Sequence, residues 1–187
     1  MTDTIYALSS GAPPAAIAVV RVTGPEAGNV LRALCGRIPP PRRAVSAGLI
    51  DAEGEVIDRA LVLWLPGPGT ATGEDVAEFH LHGGRAVIAA LERALAGLPG
   101  LRAAQAGEFT RRAFANGRID LAEAEGLADL LSAETELQRR GAMAMAGGAF
   151  SAMVAAWRDR LLAASASLEA VLDFGDDRGR LYMVMEY

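Results

Sequence analysis

Residues 76–95 read VAEFHLHGGRAVIAALERAL, and their alternation of strand and helix sets the pattern for the first two-thirds of the chain. Val76 to His82 has strand length and composition, Gly83-Gly84 breaks it, and Ala86 to Leu95 carries apolar residues at helical spacing. Working back, residues 66–73 (PGPGTATG) form a loop. Before it, Ala44 to Ile50 and Val56 to Leu65 flank Asp51-Ala52-Glu53-Gly54, the short glycine-closed connection of a hairpin. Pro39-Pro40-Pro41 imposes an extended connector. Further back, Ala16 to Val22 (AIAVVRV) is a strand bounded by Pro13-Pro14 and Thr23-Gly24-Pro25, and Val30, Leu31 and Leu34 mark a short helix ending near Gly36. This alternation predicts a mixed α/β domain.

From Glu108 onward the pattern is helical alone. The segment EFTRRAFANG is a short helix closed by Asn116-Gly117. Asp120 followed by Glu123 fits a capping box, and Leu121, Ala124, Leu127, Ala128 and Leu131 share one helical face. A further helix is expected from about Ala149 to Asp173, with Met153, Trp157, Leu161, Ala164, Leu168 and Val171 in a stripe. Two helices cannot bury both stripes fully, so they are expected to pack on the α/β domain, on a second copy or on further chain, and the apolar tail after Asp173 reads as a chain that stops inside a larger architecture. The tail after Asp173 has no clear periodicity. Ala142 to Trp157 lacks any charge, but the run is shorter than the ~20 residues of a membrane span and contains Gly147, Gly148 and Ser151. Buried or interfacial helices are expected there, and no membrane association.

The 187 residues are 51% hydrophobic and 22% charged, the composition of a globular protein. A net charge of −5 argues against a general phosphate-backbone binder. All 18 basic residues are Arg. Without Lys there is no P-loop lysine, no Schiff base and no kinase-type phosphate lysine. The single Cys35 cannot form an internal disulfide, and two His leave a zinc site short of ligands. The start, Met1 to Leu8, lacks the basic region of a secretory or transit peptide. A metal-free cytoplasmic protein is the expectation.

Few constellations carry chemistry. Asp173-Phe174-Gly175 matches a kinase triplet by letter, without the accompanying kinase motifs. His80 and His82 point the same way from one strand, and they read better as part of a strand entering a Gly-Gly turn than as metal ligands. Cys35 reads as a small core residue. More informative are charges set into strands or junctions: Arg21 within AIAVVRV, Glu78 within the strand after Gly73-Glu74-Asp75, and Arg118 just past a helix stop. A charge in a strand is costly unless paired or used. Residue types alone do not assemble these three into one site.

Four segments taken together resemble one family. They are Asp3-Thr4-Ile5, AAIAVVRVTGP (15–25), LWLPGPGTATGEDVAEFHLHGG (63–84) and GEFTRRAFANGRIDLAEAEGLADLL (107–131). In this order they are similar to the amino-terminal part of the bacterial tRNA modification GTPases called MnmE or TrmE. The resemblance implies an α/β (α+β) amino-terminal domain over 1–118, similar to the tetrahydrofolate-binding domain of aminomethyltransferases. That domain would bind 5-formyl- or 5,10-methylene-tetrahydrofolate and form a homodimer. An incomplete α-helical domain would follow over 119–187, cut off before the G domain. GTP, potassium and magnesium are implied for the full-length family and not for this chain. With the flavoprotein MnmG (GidA), the family modifies C5 of the wobble uridine in tRNA. Carried over by motif, the folate contacts fall on Arg21, Glu78 and Arg118, with no catalytic residue assigned. The family's glycine-rich opening reads Gly11-Ala12-Pro13-Pro14-Ala15-Ala16 here, and its usual lysine is Arg118. An assembly module that keeps dimerisation alone is the alternative reading.

Overall fold

The computed structural model describes residues 3–172, 174–177 and 180–183. Two compact units divide the chain at Ile119/Asp120. The first contains β1 (Thr4–Leu8), β2 (Ile17–Thr23), α1 (Ala27–Cys35), β3 (Val45–Ile50), β4 (Val56–Leu65), β5 (Val76–His82), α2 (Arg85–Ala96), β6 (Leu101–Ala103) and α3 (Glu108–Ala115). Its six strands form one mixed sheet in the order β3-β4-β5-β2-β1-β6, with β6 parallel to β1 and the other neighbours antiparallel. Period-two alternation sends Ala18, Val20 and Val22 of β2, Ala77, Phe79 and Leu81 of β5, and Ala60 and Val62 of β4 to one face. On that face they meet Val30, Leu31 and Leu34 of α1 and Ile88, Leu91 and Leu95 of α2, and these apolar side chains form one core.

The expected hairpin, the strand-break-helix of residues 76–95 and the short helix closed by Asn116-Gly117 are all present. Strands β1 and β6 are additions. Each is short, and their pairing spans almost a hundred residues of chain, with Thr4 opposite Leu101.

A buried charge cluster ties these distant segments together. Arg112 of α3 has no solvent exposure. Its Nη1 donates to the Asp3 carbonyl at 2.9 Å and to Glu74 Oε2 at 3.2 Å, and its Nη2 donates to Asp3 Oδ1 at 3.0 Å and to Glu108 Oε1 at 3.3 Å. Glu108, also buried, accepts from Arg102 Nη1 at 2.8 Å and from the Gln105 amide at 2.9 Å. Among the described residues, Arg112 Nε has no partner.

The second unit contains α4 (Leu121–Ser132), α5 (Glu136–Ala146), α6 (Ala149–Leu172) and a hairpin of β7 (Phe174–Asp177) and β8 (Arg180–Met183). The capping box expected at Asp120 and Glu123 is present, and a second one at Thr135 and Gln138 opens α5, a helix the apolar pattern did not announce. Helices α4 and α5 pack closely at Gly126, where an added Cβ would lie 2.5 Å from the Ala146 nitrogen and 2.6 Å from Met145 Cβ. On α6, Trp157, Leu161 and Leu168 of the expected stripe are exposed, and the side chain of Val171 and all of Asp173 lie outside the described residues. Among the described residues no helix is long and apolar enough to cross a membrane.

Two stability predictions arise here. The Arg102 guanidinium bonded to Glu108 holds its carboxyl down to about 2, against an ordinary value of 4.5. Glu108 is therefore harder to protonate folded than unfolded, and its contribution is present above pH 4.5 and lost as pH falls toward 2. Glu108→Gln should destabilise the fold by roughly 3 kcal/mol near neutral pH, the lower end for breaking a buried ion pair. It should also flatten the loss of stability through that acid window, and thermal melts across pH that show equal slopes for both proteins would contradict it. In the helical unit, Gly126→Ala should cost about 1–3 kcal/mol through overpacking. Gly141→Ala, with open space at its Cβ, should instead stabilise by up to about 1 kcal/mol through helix propensity. Opposite shifts in circular-dichroism melts of the two variants would support this packing.

Candidate functional site

Strands β2 and β5 pair antiparallel with Arg21 directly opposite Glu78. Both occupy the sheet face opposite the core, because their neighbours Val20, Val22, Ala77 and Phe79 are the ones buried against the helices. Arg21 therefore does not interrupt the core side of its strand, and it shares the opposite face with Ile17, Val19 and Thr23. Its Nε donates to Glu78 Oε1 at 2.7 Å. The Glu78 side chain is 14% exposed and that of Arg21 is 45% exposed, so the carboxylate lies deeper than the cation that meets it. His80, two residues along the same face, brings its Nε2 to 3.2 Å from Glu78 Oε2. Such a partly exposed pair adds little to stability.

Arg118 sits on a different support. Its Nε donates to the Thr70 carbonyl at 3.1 Å, and Asn116 Nδ2 donates to the Thr72 carbonyl at 2.7 Å. Between these contacts Gly73 has a positive φ of 78°, and a Cβ there would lie 3.0 Å from Asn116 Cβ and 3.2 Å from Arg118 Cγ. Glycine is required on both counts. The loop is fastened elsewhere as well: Thr70 Oγ1 donates to the Glu74 carbonyl at 2.6 Å, the Gly67 amide donates to Asp75 Oδ1 at 2.8 Å, and Arg42 Nη2 donates to the Gly69 carbonyl at 2.8 Å. Thr72 Oγ1 lies 2.6 Å from Thr23 Oγ1, and Thr23 stands two residues beyond Arg21 on the same face of β2. The structure thus brings Arg21 and Glu78 into contact. Among the described residues, no hydrogen bond joins Arg118 to either of them.

His80 and His82 do share a face, but each meets a different carboxylate, His82 Nδ1 lying 2.8 Å from Asp58 Oδ1. Among the described residues no group of three or more His, Cys, Asp or Glu could hold a metal ion. Burial pushes the Cys35 thiol up to about 11, which keeps it protonated and inert. Asp173 of the kinase-like triplet lies outside the described residues. Sequence reasoning missed Asn116, Thr72, Thr23 and Glu74, which hold the loop in place. The polar residues of TATGED were the available signal, since a loop of such composition fastens itself by side-chain-to-backbone bonds.

An α/β unit with a charged pair on the sheet face opposite its core, continued by a unit of three helices and a short hairpin, defines a two-domain class of protein. Residues 4–118 match the model of the TrmE amino terminus, described as a GTP-binding protein, and residues 121–182 match the MnmE helical domain, so the chain belongs to the MnmE/TrmE family. The tRNA modification GTPase MnmE of Novosphingobium aromaticivorans is 70% identical over 178 residues, covering 95% of this chain and 41% of that relative. Proteins of the same description from Erythrobacter litoralis and Rhizorhabdus wittichii are 65% and 63% identical, covering 94% of this chain and 41% of each relative. The chain spans about two-fifths of the length of these curated relatives.

The loop geometry yields a third prediction. Asn116→Ala removes one bond to the loop, and amide exchange across residues 70–73 should accelerate about fivefold, as loss of ~1 kcal/mol implies. Unchanged exchange in a folded variant would show that Asn116 does not hold the loop.

Proposed function

We propose that this chain is the folate-binding and dimerising portion of a tRNA-modifying GTPase, with Arg21, Glu78 and Arg118 as the folate contacts. The observation that carries the reading is Glu78: a carboxylate on the sheet face opposite the core, its Oε1 accepting from Arg21 Nε and its Oε2 3.2 Å from His80 Nε2. A pterin presents a ring N–H and an amino group side by side, and a carboxylate can accept both. The residues present fit that ligand. Among the described residues, the Nη groups of Arg21 and Arg118 make no hydrogen bond, so each has planar donors to offer to carbonyl or carboxylate groups.

When bound, 5-formyl- or 5,10-methylene-tetrahydrofolate supplies a one-carbon unit. The chain's own residues bind and orient it. In the proposed setting, a homodimer of this domain works with the flavoprotein MnmG to add a carboxymethylaminomethyl-type group to C5 of the wobble uridine of tRNA. A tRNA substrate implies a cytoplasmic location. These 187 residues contain no P-loop lysine, so no GTP hydrolysis is expected from them.

Calorimetric titration with 5-formyltetrahydrofolate tests the reading. We expect saturable binding, no phosphate release from GTP, and a loss of roughly 1.5–3 kcal/mol of binding in Glu78→Gln, the range for a charge-assisted hydrogen bond. Absence of folate binding by the folded chain would withdraw all three assignments. Unchanged affinity in Glu78→Gln would remove that residue alone.

A further inference from the structure

We propose that His80 is a positioning residue: by meeting Glu78 Oε2 it keeps the Arg21–Glu78 pair joined by a single hydrogen bond and so leaves the Arg21 Nη groups to a ligand's carbonyl or carboxylate. The inference rests on the reading of Arg21 as a ligand contact. An arginine facing a carboxylate commonly closes into a fork, with two parallel N–H···O bonds that occupy both oxygens. Cross-strand pairing places Arg21 directly opposite Glu78, where such a fork would be the expected outcome. The observed pair is not a fork. Arg21 reaches Oε1 through Nε alone, and Oε2 is met by His80 Nε2.

A carboxylate has about four acceptor sites, two on each oxygen, and either arrangement fills one on each. What a fork would change is Arg21, because it would draw an Nη group onto Glu78 Oε2 and away from any ligand. His80 is suited to prevent this by position as well as chemistry. It lies two residues from Glu78 on the same strand face, and its cross-strand neighbours are Val19 and Leu61, which offer no side-chain polar group to compete for the ring. Because Glu78 can only accept when ionised, the neutral imidazole must carry its proton on Nε2, leaving Nδ1 as an acceptor.

The test has a ligand-free arm and a ligand arm. Nitrogen-15 NMR of the full chain at about pH 8, where an ordinary histidine is neutral, should find His80 as the Nε2–H tautomer. In His80→Leu the two Arg21 Nη signals should resolve as rotation of the guanidinium slows in a fork, and in His80→Gln, which keeps a donor within reach of Glu78, they should remain as in the parent. An Nδ1–H tautomer, or Arg21 signals identical in parent and His80→Leu, would overturn the proposal. In titrations with 5-formyltetrahydrofolate, His80→Leu should bind about tenfold more weakly and His80→Gln within about twofold of the parent, the difference expected of one charge-assisted hydrogen bond. Equal binding by His80→Leu and the parent would also overturn it. Should the parent itself not bind folate, the functional reading falls, and the ligand-free arm still decides whether His80 holds the pair open.

Discussion

Arg112 carries a full positive charge with no exposure to solvent, and the groups that neutralise it come from three places in the chain: Asp3 before β1, Glu74 at the end of the 66–75 loop, and Glu108 one turn earlier in α3. Leaving such a cation uncompensated would cost several kcal/mol, so these segments must arrive together or not at all. The requirement reaches the candidate site through a short chain of contacts. Glu74 Oε2 accepts from Thr23 Oγ1 at 3.0 Å, Thr23 meets Thr72, and the loop carrying Thr72 is the support of Arg118. The amino terminus, the 66–75 loop and the support of Arg118 are thus joined by one set of contacts.

The sheet supplies the other condition. One face is committed to the core with α1 and α2, which leaves the alternate residues of β2 and β5 to carry polar chemistry. Placing Arg21 opposite Glu78 gives each charge a partner, so the half-buried carboxylate is tolerated. Its Oε1 accepts from Arg21 Nε, and its Oε2 lies 3.2 Å from His80 Nε2. A site of this kind needs only the alternation of two neighbouring strands and a histidine in register.

Much of this was legible beforehand where the signal is local. The β3–β4 hairpin, the break at Gly83-Gly84, the capping box at Asp120 and the span of α6 are fixed by residues within a few positions of one another. Helix α5 was harder to read, because Arg139, Arg140 and Gly141 interrupt any apolar stripe and its buried contact is a single small residue, Ala142. Strands β1 and β6 were missed for another reason: both are short, and although β1 also pairs with the neighbouring β2, its pairing with β6 spans most of the first unit. At the site, Arg21, Glu78 and Arg118 stood out by family motif. His80 did not, since it read as part of a strand entering the Gly83-Gly84 turn, and only the fold shows which carboxylate each histidine meets.

The sequence by itself determined the elements, the change from α/β to helical chain near residue 119, the absence of any lysine-dependent chemistry and the likeness to one family, because periodicity, turn residues and residue inventory are local or global sums that need no coordinates. Tertiary structure alone decided which charges meet. Arg21 and Glu78 are 57 residues apart in the chain, and Arg112 and Asp3 are 109 apart. Those contacts depend on strand register and on loop closure, and a shift of one residue in register would turn Arg21 into the core and Val20 out of it.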